Sequence, residues 1–207
     1  MGEAARGARG GPGTAGVLVF VLRGSNEPPP AQLPRAEGPA GTPRAGTLAP
    51  TTGSFVGYRV RETFASVGVA TAVGRTGEVE GSAEVRGDRI TRARFEADLR
   101  TLRSDEARRD RALQTRGLES ARFPTARFEL TSPVATTGRV SAPGRLTLHG
   151  VTQPIRVRLR ARRSAAGVDL AGSAGIRFAD FRMEPPSIAG FVSVRGRGVL
   201  EVRLRLR

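Results

Sequence analysis

The sequence predicts an all-β fold: a closed antiparallel barrel of about eight strands, with one short helix between strands and a disordered N-terminal tail before them. Three observations carry that expectation. From Ser54 to Arg207 apolar and polar residues alternate in one strand after another, so each strand has one dry and one wet face, as antiparallel sheets do. One stretch, around Ser104 to Gly117, recurs at helical spacing instead. Residues 1–53 are rich in Gly, Pro and Ala, a composition that buries too little apolar surface to offset the entropy of ordering. Closure of the sheet follows from its edges, because an open sheet of this kind exposes two adhesive strands that a barrel removes.

The chain of 207 residues has room for one domain and this tail. Within the tail, Ala15 to Leu22 reads A-G-V-L-V-F-V-L behind Arg6 and Arg9. It is far shorter than the ~20 apolar residues that cross a membrane. Its length matches the apolar region of a secretory signal, but no small-x-small cleavage site follows. If the segment is an export or anchor signal, the protein is extracytoplasmic or held in the cell envelope; if it is merely an apolar stretch of tail, the protein is cytoplasmic.

The strands follow in order. Val56, Tyr58 and Val60 face one way and Arg59 and Arg61 the other, after which Phe64 to Arg75 reads as a loop. Val79, Gly81, Ala83 and Val85 oppose Glu80, Ser82, Glu84 and Arg86; Gly87-Asp88 turns the chain; and Ala93, Phe95, Ala97 and Leu99 return as a hairpin. Ser104 is placed as the helix N-cap, with Asp105 and Glu106 where the helix dipole favours negative charge and Gly117 as the stop. Strands resume with Phe128 and Leu130, then Leu146 and Leu148, then Ile155 to Ala161 against Arg156, Arg158, Arg160 and Arg162. Ala165-Ala166-Gly167 is the next turn, Val168 to Phe178 the next strand, and Leu200 to Leu206 the last.

The inward set contains many small residues, such as Ala83, Ala97, Ala126, Ala161 and Ala174, with few large ones beside them. Small inward residues suit either a tightly curved, packed interior or a lumen with room for a ligand. The inward residues Tyr58, Val60, Ala83, Val85, Phe95, Ala97, Leu99, Phe128, Leu130, Leu146, Leu148, Ile176 and Phe178 carry no formal charge. A lumen walled by them takes an uncharged occupant, and a hydrocarbon chain contributes about 0.8 kcal/mol per buried CH₂.

Two motif blocks stand in order. The first is Ser104, Arg109-Asp110, Leu113 and Phe123-Pro124-Thr125-Ala126-Arg127-Phe128; the second runs from Gly144-Arg145-Leu146-Thr147-Leu148-His149-Gly150 to Ile155. With Asp180-Phe181-Arg182-Met183 near the end, this pattern resembles the YceI-like family of lipid- or polyisoprenoid-binding, lipocalin-like barrels, over Ser54 to Arg207. The resemblance implies carriage of a polyisoprenoid, quinone-like or fatty amide lipid, and it favours the lumen over the packed interior. It adds Leu113 and Phe123 to the lumen and places Ser104, Arg109 and Asp110 at a mouth that receives a head group. Arginine presents a planar donor fork to a phosphate or carbonyl, whereas Asp110 suits a tie between helix and barrel. The loop from Phe64 to Arg75 departs from the family pattern and bears on ligand identity.

The formal charge is +15 and every basic side chain is arginine. Outward arginines at alternate positions offer a second function, attraction of polyanions or an anionic membrane surface; the scarcity of aromatics for base stacking argues against specific nucleic-acid binding. Cysteine is absent and His149 is the only histidine. No phosphate loop, metal-ligand cluster or nucleophile–base pair can be assembled, so the expectation is a non-enzymatic protein with no cofactor beyond a bound lipid. Its expected partners are that long-chain isoprenoid or other apolar lipid, an anionic membrane surface, and a second copy of the chain in a homodimer.

Overall fold

The computed structural model describes residues 27–36, 41, 45–64, 68–185 and 192–207. Among them one antiparallel sheet contains β1 (Gly46–Leu48), β2 (Phe55–Phe64), β3 (Gly68–Thr76), β4 (Val79–Arg86), β5 (Arg89–Asp98), β6 (Arg103–Ser104) and β7 (Thr125–Leu130). It continues with β8 (Val134–Ala135), β9 (Gly138–Leu148), β10 (Val151–Ser164), β11 (Gly167–Arg177), β12 (Val192–Val194) and β13 (Arg197–Leu206). The helix α1 (Ala107–Thr115) lies between β6 and β7. Neighbours run β1-β4-β5-β7-β9-β10-β11-β13-β2-β3-β6, with β12 on β2 and β8 on β5.

The all-β class with a single helix is as expected. The closed eight-stranded barrel is not: the thirteen strands make a curled, open half-barrel whose end strands, β1 and β6, do not pair with each other. Closure was inferred from the need to hide two edges, and the molecule hides them by shortening them. β1 has three residues and β6 has two, too few to template another chain.

The expected loop from Phe64 to Arg75 is largely β3, paired with β2 from Val56↔Thr76 to Phe64↔Gly68. Its Val-Ala-Thr-Ala-Val run lacks the apolar–charged contrast that marks the other strands. The N-cap of α1 is Glu106, whose carboxylate accepts from the Arg108 N–H. Ser104 belongs to β6, and its hydroxyl donates to Asp110 at 2.7 Å. Gly117 follows the helix at φ 66°, the left-handed turn that glycine adopts freely.

Alternation is clearest in β9, where Val140, Ala142, Gly144, Leu146 and Leu148 are buried and Arg139, Ser141 and Arg145 are exposed. A bulge opposite Glu84 changes the inward parity of β5 between Ile90 and Ala93, so one strand follows the curl without losing its apolar face. The interior divides into two apolar clusters. One gathers Val85, Ile90, Val134, Val168 and Leu206; the other gathers Leu99, Leu148, Phe178, Phe181 and Met183.

The exterior uses arginine to clamp strands. Glu201, 2% exposed, accepts from Arg59 on β2 and Arg75 on β3, each at 3.0 Å. Asp169, 3% exposed, sits between Arg162 and Arg207, each at 2.9 Å. The guanidinium groups of Arg75 and Arg203 lie 4.4 and 4.6 Å from the centre of the Phe55 ring.

Part of the expected disordered tail belongs to the fold. β1 pairs with β4, and Ala49 and Arg207 exchange backbone hydrogen bonds of 2.8 and 3.0 Å. Residues 27–36 lie along the sheet: Arg59 reaches the Glu27 carboxylate and the Pro28 carbonyl, Arg75 the Pro29 carbonyl, and Arg162 the Pro34 carbonyl. Proline has no N–H to satisfy, so the arginines need meet only carbonyls. The Ala15–Leu22 segment lies outside the described residues.

Candidate functional site

Inside the curl are two cavities. The larger, about 130 Å³, lies beneath α1 and is walled by Tyr58, Val60, Leu99, Leu102, Leu113, Leu118, Leu148, Ile176, Phe178 and Met183. The smaller, about 100 Å³, lies toward the end where β1 joins the sheet and is walled by Ile90, Phe95, Ala97, Phe128, Leu130, Leu170 and Leu204. Val56, Ala126, Leu146 and Leu200 line both, so the two adjoin as lobes on either side of a shared wall. Gly144 stands where a Cβ would meet the Phe128 ring at 2.3 Å, so glycine there leaves that wall residue its room.

The exposed walls are almost wholly apolar, and charged residues border them through their carbon stems. Glu62, Arg109 and Glu184 reach the larger lobe, and Glu96 and Arg127 the smaller. Glu62 continues the Val56-Tyr58-Val60 parity by one further step, and that continuation was the available signal. Leu102, Leu118, Met183 and Val194 come from irregular or very short segments, where no period marks an inward face.

Arg109, Ser104 and Asp110 are brought together, though as a lock. Arg109 donates to both Glu62 oxygens at 3.2 and 3.1 Å, to Asp105 at 2.6 Å and to the Ser104 hydroxyl at 3.3 Å. Burial opposes its charge, but the Glu62 and Asp105 carboxylates outweigh that and hold its pKa above the ordinary arginine value. Asp110 accepts from the Ser104 hydroxyl at 2.7 Å and the Ser104 N–H at 3.0 Å. These bonds join α1 to β6.

Tyr58 lies across Gly74 of β3, where a Cβ would stand 2.4 Å from its ring. Its hydroxyl is buried, against the Ser104 side chain. Burial pushes the Tyr58 pKa above the ordinary tyrosine value, with Asp110 and Glu62 adding to the rise and Arg109 opposing it.

Of the other expected lumen residues, Ala83 and Val85 are in the packed core, each 1% exposed, and on neither cavity wall. Phe123 packs against His149, with ring centroids 4.2 Å apart. His149 is buried, with Nδ1 3.2 Å from the Phe181 carbonyl and Nε2 3.3 Å from Glu119. Among the described residues no group of three or more His, Asp or Glu could hold a metal ion, and none of the helices is long and apolar enough to cross a membrane.

The family model of the YceI-like domain matches residues 48–205. A polyisoprenoid binding domain from Saccharophagus degradans, implicated in plant cell wall breakdown, superposes with a TM-score of 0.59 at 17% identity over 79% of this chain and 99% of its own. Burkholderia cenocepacia BcnA gives a TM-score of 0.55 at 13% identity over 72% of this chain and 96% of its own. At these identities the likeness is one of fold. Among curated proteins nothing matches the chain.

Proposed function

Because the chain belongs to the YceI-like domain family, we propose that it is a non-enzymatic carrier of one long-chain apolar lipid: a polyisoprenoid, a quinone-like molecule or a fatty amide. The observation that carries this is the two-lobed lumen with a shared wall of Val56, Ala126, Leu146 and Leu200. A cavity of ~150 Å³ accepts a benzene ring. Lobes of about 130 and 100 Å³ in series therefore suit a slender chain threading both. At about 0.8 kcal/mol per CH₂ such a chain binds without polar recognition. The polyisoprenoid-binding character of the Saccharophagus domain supports the same ligand class. The basic-flanked Ala15–Leu22 segment supports export or anchoring, and with it a place in the cell envelope.

Native mass spectrometry of the purified chain, followed by solvent extraction, tests the proposal. The expected result is a stoichiometric long-chain lipid, reduced in Ala97→Phe, whose ring fills the smaller lobe. A folded Ala97→Phe variant with undiminished lipid refutes the lumen as the binding site.

A second reading has its own observation. Arg156, Arg158 and Arg160 stand exposed in a row on β10, a surface suited to a polyanion or an anionic membrane.

A further inference from the structure

Residues 27–36 lie outside the stretch that the family model matches, yet the sheet holds them by a prepared set of donors. The strand order β10-β11-β13-β2-β3 places Arg162 on one side and Arg59 and Arg75 on the other, and the segment crosses the outer face between them. Each of the three arginines divides its donors. Arg59 and Arg75 hold the buried Glu201, and Arg162 holds the buried Asp169. A further N–H of each donates to a carbonyl of the segment: Pro28 at 2.7 Å, Pro29 at 2.5 Å and Pro34 at 2.5 Å. Arg75 also lies on the Phe55 ring. The buried carboxylates and that ring fix the guanidinium groups from the side of the sheet, so the donors stay aimed when the segment leaves.

The segment has the matching form. Pro28, Ala31 and Pro34 are half-buried, with Leu33 beside the last, while Pro29, Pro30, Gln32 and Arg35 are exposed. Contact at every third residue is one face of a polyproline II helix, whose carbonyls are all free to accept. From Pro29 to Pro34 such a backbone rises about 15 Å, against about 19 Å for the four strand spacings from β3 to β10; the arginine arms cover the difference. Glu27, at the leading end, pairs with Arg59. The segment belongs to no strand, and local opening of such segments costs little.

We propose that this face of the sheet is a docking site for polyproline II segments led by an acidic residue, that residues 27–36 are its resident ligand, and that a proline-rich segment of another protein binds there by displacing them. A preformed helix of low entropy suits such recognition, and the acidic residue complements a chain of charge +15. None of the three arginines lines either cavity, so the site stands apart from the lumen.

The probe is a fluorescently labelled peptide of residues 27–36, followed by anisotropy against the full chain and against a full-length variant carrying Pro28→Gly, Pro29→Gly, Pro30→Gly and Pro34→Gly. Those changes fall outside every strand and leave the three arginines in place. In the wild type the resident segment competes at a roughly millimolar effective concentration. The peptide is therefore expected to bind the glycine variant at least about 10-fold more tightly than the wild type. A peptide carrying the same four glycines should bind that variant at least about 10-fold more weakly than the native peptide, because it must first be ordered. A second measurement leaves the prolines in place. Since the chain has no cysteine, Gln32→Cys takes a spin label at one exposed position, and an excess of native peptide should convert the label from restricted to mobile. No binding to the glycine variant, equal binding to variant and wild type, equal binding of the glycine peptide, or a label that stays restricted overturns the proposal and leaves residues 27–36 as fixed packing.

Discussion

Tyr58 is the only tyrosine and tryptophan is absent, so tyrosinate absorbance reports a single buried group. Unfolded, it ionises near pH 10; folded, burial holds its pKa above that. Below about pH 10 both states keep the proton and stability is indifferent to pH through this group. Above it the unfolded chain loses the proton first, so stability falls as pH rises. The native protein should therefore show little tyrosinate at a pH where denatured protein is half ionised, and Tyr58→Phe should flatten the alkaline loss of denaturant midpoint. An ordinary titration in the native state would contradict the burial. Tyr58 was legible from parity alone, as were Val60, Phe95, Ala97 and Phe128. The burial of its hydroxyl was not, because that depends on Gly74 and Ser104 arriving from strands whose pairing no local pattern announces.

At the scale of elements, α1 has no fully buried residue, so its seat over the lumen depends on the part-buried contacts of Arg109 to Glu62 and Asp110 to Ser104, beside Leu113 on the cavity wall. Removing one partner of such a part-buried charge pair leaves the other unsatisfied, at about 1–3 kcal/mol. Arg109→Ala is thus expected to speed amide hydrogen exchange throughout α1 by roughly one to two orders of magnitude, with β9 to β11 unchanged. Unchanged exchange in α1 would show that something else holds it. The helix was recognisable by its spacing, but its start was not. Ser104 has the side chain of an N-cap, and only the competing β3–β6 pairing shows that it serves as a strand residue. β3 was missed for the opposite reason, since small residues on both faces erase the contrast that alternation needs.

For the whole molecule, the arginines include two contrasting groups. Arg59, Arg75, Arg162 and Arg207 clamp buried acids between strands, while Arg156, Arg158 and Arg160 point outward with no ion pair among the described residues. Replacing those three by alanine should weaken binding to phosphatidylglycerol vesicles and flatten its salt dependence, leaving the extracted lipid unchanged. Equal vesicle binding by the variant would retire the membrane reading. The sequence carried the strand faces and the antiparallel class, but not the openness of the sheet. Closure is decided at β1 and β6, segments of three and two residues, too short to carry a pattern.

The hydrogen bonds between Ala49 and Arg207 bring the first and last segments of the sheet side by side. From there β2 runs past Val56, on the wall that both lobes share, to Val60 and Glu62 beneath α1. Fusion partners or immobilising tags at either end of the domain therefore attach at one pole, and whichever is used, the helix-covered pole is the face presented to the surroundings.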